Sequence, residues 1–225
     1  MRDLLLIFAK WPEPGQVKTR LAQSVGDQEA TRIYRMLVRA VLELVAPLMS
    51  AKSDASGHDS LTCWLLFTPQ SRRQETAGWL KQEASLAGWE PDQVIVKPQA
   101  GGDLGNRLRA AFEQGFQAGY GRVAAIGTDC VELDSALVKE SWRHLSGDCD
   151  LVFGPATDGG YYLVGMKQAA TCAVFDGIPW SSGATLAASL AIAEQAGFRV
   201  NLLDELSDVD TAADWQRVKA IMDGE

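Results

Sequence analysis

The chain has 225 residues, a formal charge of −8 and four cysteines, Cys63, Cys130, Cys149 and Cys172, none in a C-x-x-C pair. That length suits one α/β domain with a core needing no disulfide or structural metal, and the acidity argues against a nucleic-acid-binding face. With only two histidines, His58 and His144, zinc sites and Ser-His-Asp chemistry are poorly supplied. The cysteines read as reduced thiols. The apolar start is too short for a signal segment or a membrane span, so a cytoplasmic location is expected.

Leu4 to Ala9 is an unbroken apolar run and reads as a strand buried on both faces. It empties into Lys10, Pro12, Pro14, Gly15, Lys18, Thr19 and Arg20. The prolines hold this loop extended, and Gly15 would let the backbone approach a ligand. Lys10, Lys18 and Arg20 crowd the mouth of a strand, where open α/β sheets bind their ligands. A phosphate-rich ligand is expected there; a solvated basic turn is the competing reading. The loop is not a Walker motif, because Val17 precedes Lys18 and Gly15 is the only glycine nearby.

Asp27 is placed to cap a helix in which Ala30, Ile33, Tyr34, Leu37, Val38, Val41, Leu42 and Val45 form one apolar face, ended by Pro47. Arg32, Arg35, Arg39 and Glu43 fall on the other face, as solvated charges. Residues 50–60, with His58, form a polar surface loop. Leu61 to Phe67 reads as the second strand, Thr76 to Leu86 as a helix and Val94 to Val96 as the third strand. Gln99 to Leu108 is a glycine-rich turn opening a helix that runs to about Ala118. A turn of that kind offers free N–H groups to anions, or merely links a strand to a helix; it lacks the G-x-G-x-x-G pattern.

Val123 to Ile126 is a fourth strand, running into Gly127-Thr128-Asp129-Cys130. Asp134 caps a helix from Ser135 to Leu145, which carries His144. Asp150 to Phe153 is a fifth strand. Asp158-Gly159-Gly160 signals a hairpin turn, after which Tyr161 to Val164 returns antiparallel. Trp180-Ser181-Ser182 precedes a helix from Ala184 to Ala196. Val200 to Leu203 is the last strand, and Ser207 to Asp214 leads into a closing helix with Thr211 and Asp214 as a capping box. The alternation of strands and helices predicts a single domain over 1–225, an α/β sandwich with a mostly parallel sheet and one antiparallel hairpin.

Asp129 follows a buried strand, and Asp208 and Asp210 follow another near the far end of the chain. Mg²⁺ or Mn²⁺ takes one or two protein carboxylates plus phosphate oxygens, so Asp129 with Asp208 or Asp210 would suffice. Capping and a solvated turn are the competing roles for Asp208, Asp210 and Asp158. Cys130 reads as a small buried residue, since no histidine is placed to activate it.

FAKWPEPGQVKTRL, QAGGDLGNRL, AIGTDCVEL, DGGYYLVGM, IPWSS and SDVDTAADW occur in this order between Leu4 and Trp215. Taken together they resemble the rSAM/selenodomain-associated transferases, bacterial glycosyltransferases of the nucleotide-diphospho-sugar transferase superfamily. The resemblance implies a GT-A-like three-layer α/β/α fold, a nucleotide-sugar donor, a small-molecule acceptor and a divalent cation. It implies that Lys10, Gly15, Lys18 and Arg20 hold the nucleotide and its phosphates, with Gly102, Asp103, Gly105 and Arg107 as a second nucleotide-side motif. Asp129 matches the metal-binding aspartate, joined by Asp208 and Asp210. Asp158, Gly159, Gly160 and Tyr161, with Trp180, match the acceptor side, and Asp158 is a candidate catalytic base. Two positions depart from the pattern: Val131 stands where a proline is expected, and Ser181-Ser182-Gly183 replaces a Ser-Thr pair. The superfamily also holds nucleotidyltransferases, which favour several glycines before the loop lysine; with Gly15 alone, sugar transfer is the first expectation and nucleotidyl transfer the second.

Overall fold

In the computed structural model, which describes residues 2–49, 61–180 and 182–222, the opening apolar run becomes strand β1 (Asp3–Lys10), inside a seven-stranded sheet. The expected loop at 50–60 with His58, and Ser181, lie outside the described residues. The other strands are β2 (Leu61–Thr68), β3 (Ile95–Pro98), β4 (Arg122–Ile126), β5 (Leu151–Pro155), β6 (Tyr161–Met166) and β7 (Val200–Leu202). Their order is β3-β2-β1-β4-β6-β5-β7. Only β6 runs against its neighbours, antiparallel to β4 and to β5; the remaining pairs are parallel.

The period of two along β1 divides the core. Leu5, Ile7 and Ala9 face helices α1 (Thr19–Val25), α2 (Asp27–Met49), α3 (Arg73–Leu86), α5 (Ser135–Ser146) and α7 (Ala212–Met222). Leu4, Leu6 and Phe8 face α4 (Leu104–Gln117), a 3-10 helix (Ala169–Phe175) and α6 (Thr185–Gln195). Helices therefore cover both faces, as a parallel sheet requires. Truncating Leu5, which is fully buried, to Ala would cost about 3 kcal/mol in transfer and cavity terms.

Three local expectations are corrected. Helix α1 begins at Thr19, inside the stretch read as loop, and Asp27 opens α2 instead of capping it. Pro47 does not stop α2, which continues to Met49. In the last turn the proline costs little more than its own hydrogen bond, and buried Val45 and Leu48 hold the helix against the sheet. The 3-10 helix is a short turn on which no expectation bore; its Cys172, Val174 and Phe175 are buried.

The hairpin behaves as its turn residues demand. Gly159 adopts φ 85°, which a side chain disfavours, and its N–H donates to Ala156 O at 2.9 Å. Because β6 is reversed, its first residue, Tyr161, arrives at the edge where β1, β2, β3 and β4 end.

Candidate active site

At that edge lies a cavity of about 630 Å³, whose walls include Lys10, Gln16, Lys18, Arg20, Arg107, Asp129, Asp158, Tyr161, Asp208 and Asp210. Residues from both ends of the chain meet in it. Lys18 precedes α1 in the left-handed conformation, φ 48°, uncommon for a residue with a side chain. Its side chain is only 4% exposed, with Nζ 2.9 Å from Asp129 Oδ1 and 3.4 Å from Asp210 Oδ1. Arg20, largely exposed, reaches Asp210 Oδ2 at 3.4 Å.

Backbone hydrogen bonds hold the acidic segments together. Val209 N donates to Asp129 O at 3.0 Å, fixing Asp208 and Asp210 on either side of that tie. Leu206 N donates to Pro155 O at 3.1 Å and Thr157 N to Leu206 O at 3.0 Å, joining the same segment to the hairpin. The predicted capping box forms: Thr211 N donates to Asp214 Oδ2 at 2.8 Å and Asp214 N to Thr211 Oγ1 at 3.3 Å.

The electrostatics follow from this crowding. Burial works against the charge of Lys18, but Asp129, Asp210 and Asp208 outweigh it and raise its pKa. Burial, with Asp129 next and Asp158 and Asp210 adding, pushes the Asp208 carboxyl up to about 7, against the pull of Lys18. Asp129 Oδ1 is buried, and the Lys18 ammonium at 2.9 Å is its compensation. A buried carboxylate oxygen beside like charges fits a hard cation with oxygen ligands. Among the described residues no three His, Cys, Asp or Glu side chains are arranged to hold a metal by themselves. A cation here would therefore need ligands beyond these side chains.

The remaining expected residues divide. Arg107 lines the cavity, while its Nε donates to Gly102 O at 2.9 Å. Lys10 Nζ is turned to Gln16 O at 2.6 Å. Gly15, Gly102, Asp103, Gly159, Gly160 and Trp180 stand outside the lining. Gly15 and Gly102 serve turns with φ 75° and 95°, and Asp103 caps α4 by accepting from Asn106 N at 2.8 Å. Asp158 Oδ1 accepts from Gly160 N at 2.8 Å. Trp180 stands edge-on to Tyr161 with 6.3 Å between centroids. It also covers Gly105, where a Cβ would meet Trp180 Nε1 at 2.7 Å.

Sequence reasoning missed Tyr34 and Gln99. The Tyr34 hydroxyl accepts from Lys10 N at 2.7 Å and lies 3.5 Å from Thr128 Oγ1, tying helix α2 to the ends of β1 and β4. Gln99 Nε2 donates to Ala9 O at 3.1 Å and Leu66 O at 3.0 Å, bracing β1 and β2 where the cavity opens. A buried tyrosine on an apolar helix face gives no warning of such a role; a polar residue directly after a strand could have done so for Gln99.

A solved structure from Desulfovibrio desulfuricans G20, provisionally named a nucleotide-diphospho-sugar transferase, is 30% identical with a TM-score of 0.80, covering 97% of this chain and 87% of that one. A cytidylyltransferase from Leptospira borgpetersenii serovar Hardjo-bovis shares the fold at 13% identity and TM-score 0.58, covering 100% of this chain and 88% of that one. Glucosyl-3-phosphoglycerate synthase from Mycobacterium tuberculosis, solved with Mg²⁺ and UDP, is 11% identical with a TM-score of 0.50, over 96% of this chain and 74% of that one. No curated protein matches. The expected GT-A-like α/β architecture is thus that of nucleotide-diphospho-sugar transferase folds. No described helix is long and apolar enough to cross a membrane. The family model described as "Uncharacterized protein conserved in bacteria (DUF2064)" matches residues 54–182, and the chain belongs to that family.

Proposed function

We propose that the protein is a metal-dependent transferase that takes a glycosyl group from a nucleotide-sugar to a small-molecule acceptor. The observation that carries this reading is the 2.9 Å approach of Lys18 Nζ to Asp129 Oδ1 inside one cavity, a cation and a carboxylate from opposite halves of the chain. A diphosphate bound there would lie within reach of Lys18 and Arg20, which neutralise it as the bond to the sugar breaks. Asp129 with Asp208 or Asp210 would hold Mg²⁺ or Mn²⁺, which when bound offsets the charge growing on the leaving diphosphate. Gly102, Asp103 and Gly105 shape the nucleotide-side turn that presents Arg107.

The acceptor would enter on the side of Tyr161, Gly159 and Gly160, with Trp180 behind them. Asp158 is exposed and has one oxygen engaged by Gly160 N, which leaves Oδ2 to take the proton of an acceptor hydroxyl. The 30% identity to a protein named for nucleotide-sugar transfer supports the reaction class. The motif resemblance to selenodomain-associated transferases refines it.

The test is an assay of the purified protein against nucleotide-sugars with Mg²⁺ or Mn²⁺, reading release of nucleoside diphosphate. Release of pyrophosphate from a nucleoside triphosphate would instead establish nucleotidyl transfer, the second reading, which the shared fold of the cytidylyltransferase supports. If no nucleotide or nucleotide-sugar raises the melting temperature with either metal, both readings fail.

A further inference from the structure

A second cavity, of about 460 Å³, opens on the outer side of the helical layer between α2 and α3, away from the strand ends. Its walls include Arg35, Arg39, Trp79, Gln82 and Glu83. The charges expected to be solvated on the far face of α2 are instead gathered over an aromatic floor. That floor is fixed: Glu83, 4% exposed, receives Arg39 Nε and Nη2 at 2.7 Å each, and its other oxygen accepts from Trp79 Nε1 at 2.9 Å. Trp79 is held from behind by Trp11 and Tyr34, at centroid distances of 6.2 Å and 6.4 Å.

The charges are not all paired, although Glu43, two turns beyond Arg35 on α2, also lines the cleft beside Arg39. Arg32 is neutralised by Glu29 and Arg39 by Glu83. Arg35 has no carboxylate partner among the described residues; its guanidinium carbon lies 5.9 Å from the Trp79 ring centroid. The side-chain amide of Gln82, on the opposite wall, is in no hydrogen bond among the described residues. A guanidinium in no ion pair, a free side-chain amide and the apolar flanks of Met36 and Ala40 thus border one concavity, in a chain whose net charge is −8.

We propose that this cleft between α2 and α3 is a second ligand site, for a small planar organic anion whose carboxylate or phosphate engages Arg35 and whose flat body lies along Met36 and Ala40. Recognition would be charge-assisted at one end and apolar at the other, the usual division of labour in small-molecule sites. It is independent of nucleotide-sugar transfer, since no residue of the strand-end cavity lines it.

The experiment is calorimetric titration of the full chain with phenyl phosphate and with benzoate, using benzyl alcohol as the neutral control. Saturable binding of at least one anion is expected to the wild type and to Lys18→Ala, but not of the alcohol. Arg35→Glu should weaken it by roughly tenfold or more, the loss of one charge-assisted interaction, with an unchanged melting temperature because Arg35 is exposed. Gln82→Ala should weaken it less. Equal binding to wild type and Arg35→Glu overturns the proposal. So does loss in Lys18→Ala with retention in Arg35→Glu, which would put the anion at the strand ends, and so does the absence of saturable binding by either anion.

Discussion

Both cavities are lined by cations, but they handle charge in opposite ways. At the strand ends Lys18 is almost wholly buried, and its counter-charges, Asp129 and Asp210, come from segments far along the chain. Between α2 and α3 the arginines are exposed or half-buried, and Arg32 is balanced by Glu29, a single helical turn away. An exposed ion pair is screened and contributes little, whereas a buried cation without its carboxylates would be driven to lose its proton or unfold its loop. The strand-end cavity is therefore an assembly that the whole fold must maintain. The outer cleft needs only two helices to lie side by side.

The difference can be broken first at Asp129. Asp129→Asn keeps the shape and removes the charge, so transfer should fall by roughly a thousandfold or more while the fold survives. Nucleoside diphosphate release at saturating Mn²⁺ measures this; a loss under tenfold would take Asp129 out of the chemistry. Gly159→Ala attacks the assembly itself. Its Cβ would lie 2.2 Å from Gly183 O at φ 85°, so nothing short of a backbone shift relieves it. A cost of about 3 kcal/mol is expected in denaturant unfolding. Lys18→Met keeps the bulk but leaves Asp129 without its counter-charge. Because the partner carboxylates are about two-fifths exposed, we expect about 2 kcal/mol, below the full toll of a buried pair. The matching change in the outer cleft, Arg32→Met, should cost under about 0.5 kcal/mol. If the two substitutions cost the same, the contrast between the cavities is lost.

Much of this was legible along the chain because it is local. The apolar run at Leu4 to Ala9, the Asp158-Gly159-Gly160 turn and the Thr211–Asp214 box each depend on neighbours within a few residues, and each formed. Asp129, Asp208 and Asp210 could be named as strand-end carboxylates, but not the Val209-to-Asp129 backbone bond that aligns them. Tyr34 was placed on the apolar face of α2, where it is; that its hydroxyl meets Lys10 depends on the helix's distance from the sheet, which periodicity does not encode. The arginines of α2 were assigned correctly to the outer face, yet the cleft needs Trp79 from another helix. Helix α1 escaped notice because its 7 residues are too few to establish a period.

A pH-dependent effect concerns Asp208 and sharpens the contrast in its electrostatic form. Its carboxyl is raised from 3.8 to about 7 by burial and by Asp129, Asp158 and Asp210, so the folded state holds that proton more tightly than the unfolded chain does. Its contribution to stability is then fully present below about 3.8 and is lost as pH rises through about 7. Asp208→Asn imitates the protonated form at every pH. In metal-free protein the variant should match the wild type near pH 4 and exceed it at pH 8, by about 1 kcal/mol once solvent at the cavity mouth is allowed for. Parallel thermal melts across that range measure the difference between the two proteins, which removes the titration of every other carboxylate. A difference that does not grow with pH would mean that water or rearranged side chains already relieve the crowding around Asp208. The acidic cluster would then be no more demanding than the exposed pairs along α2.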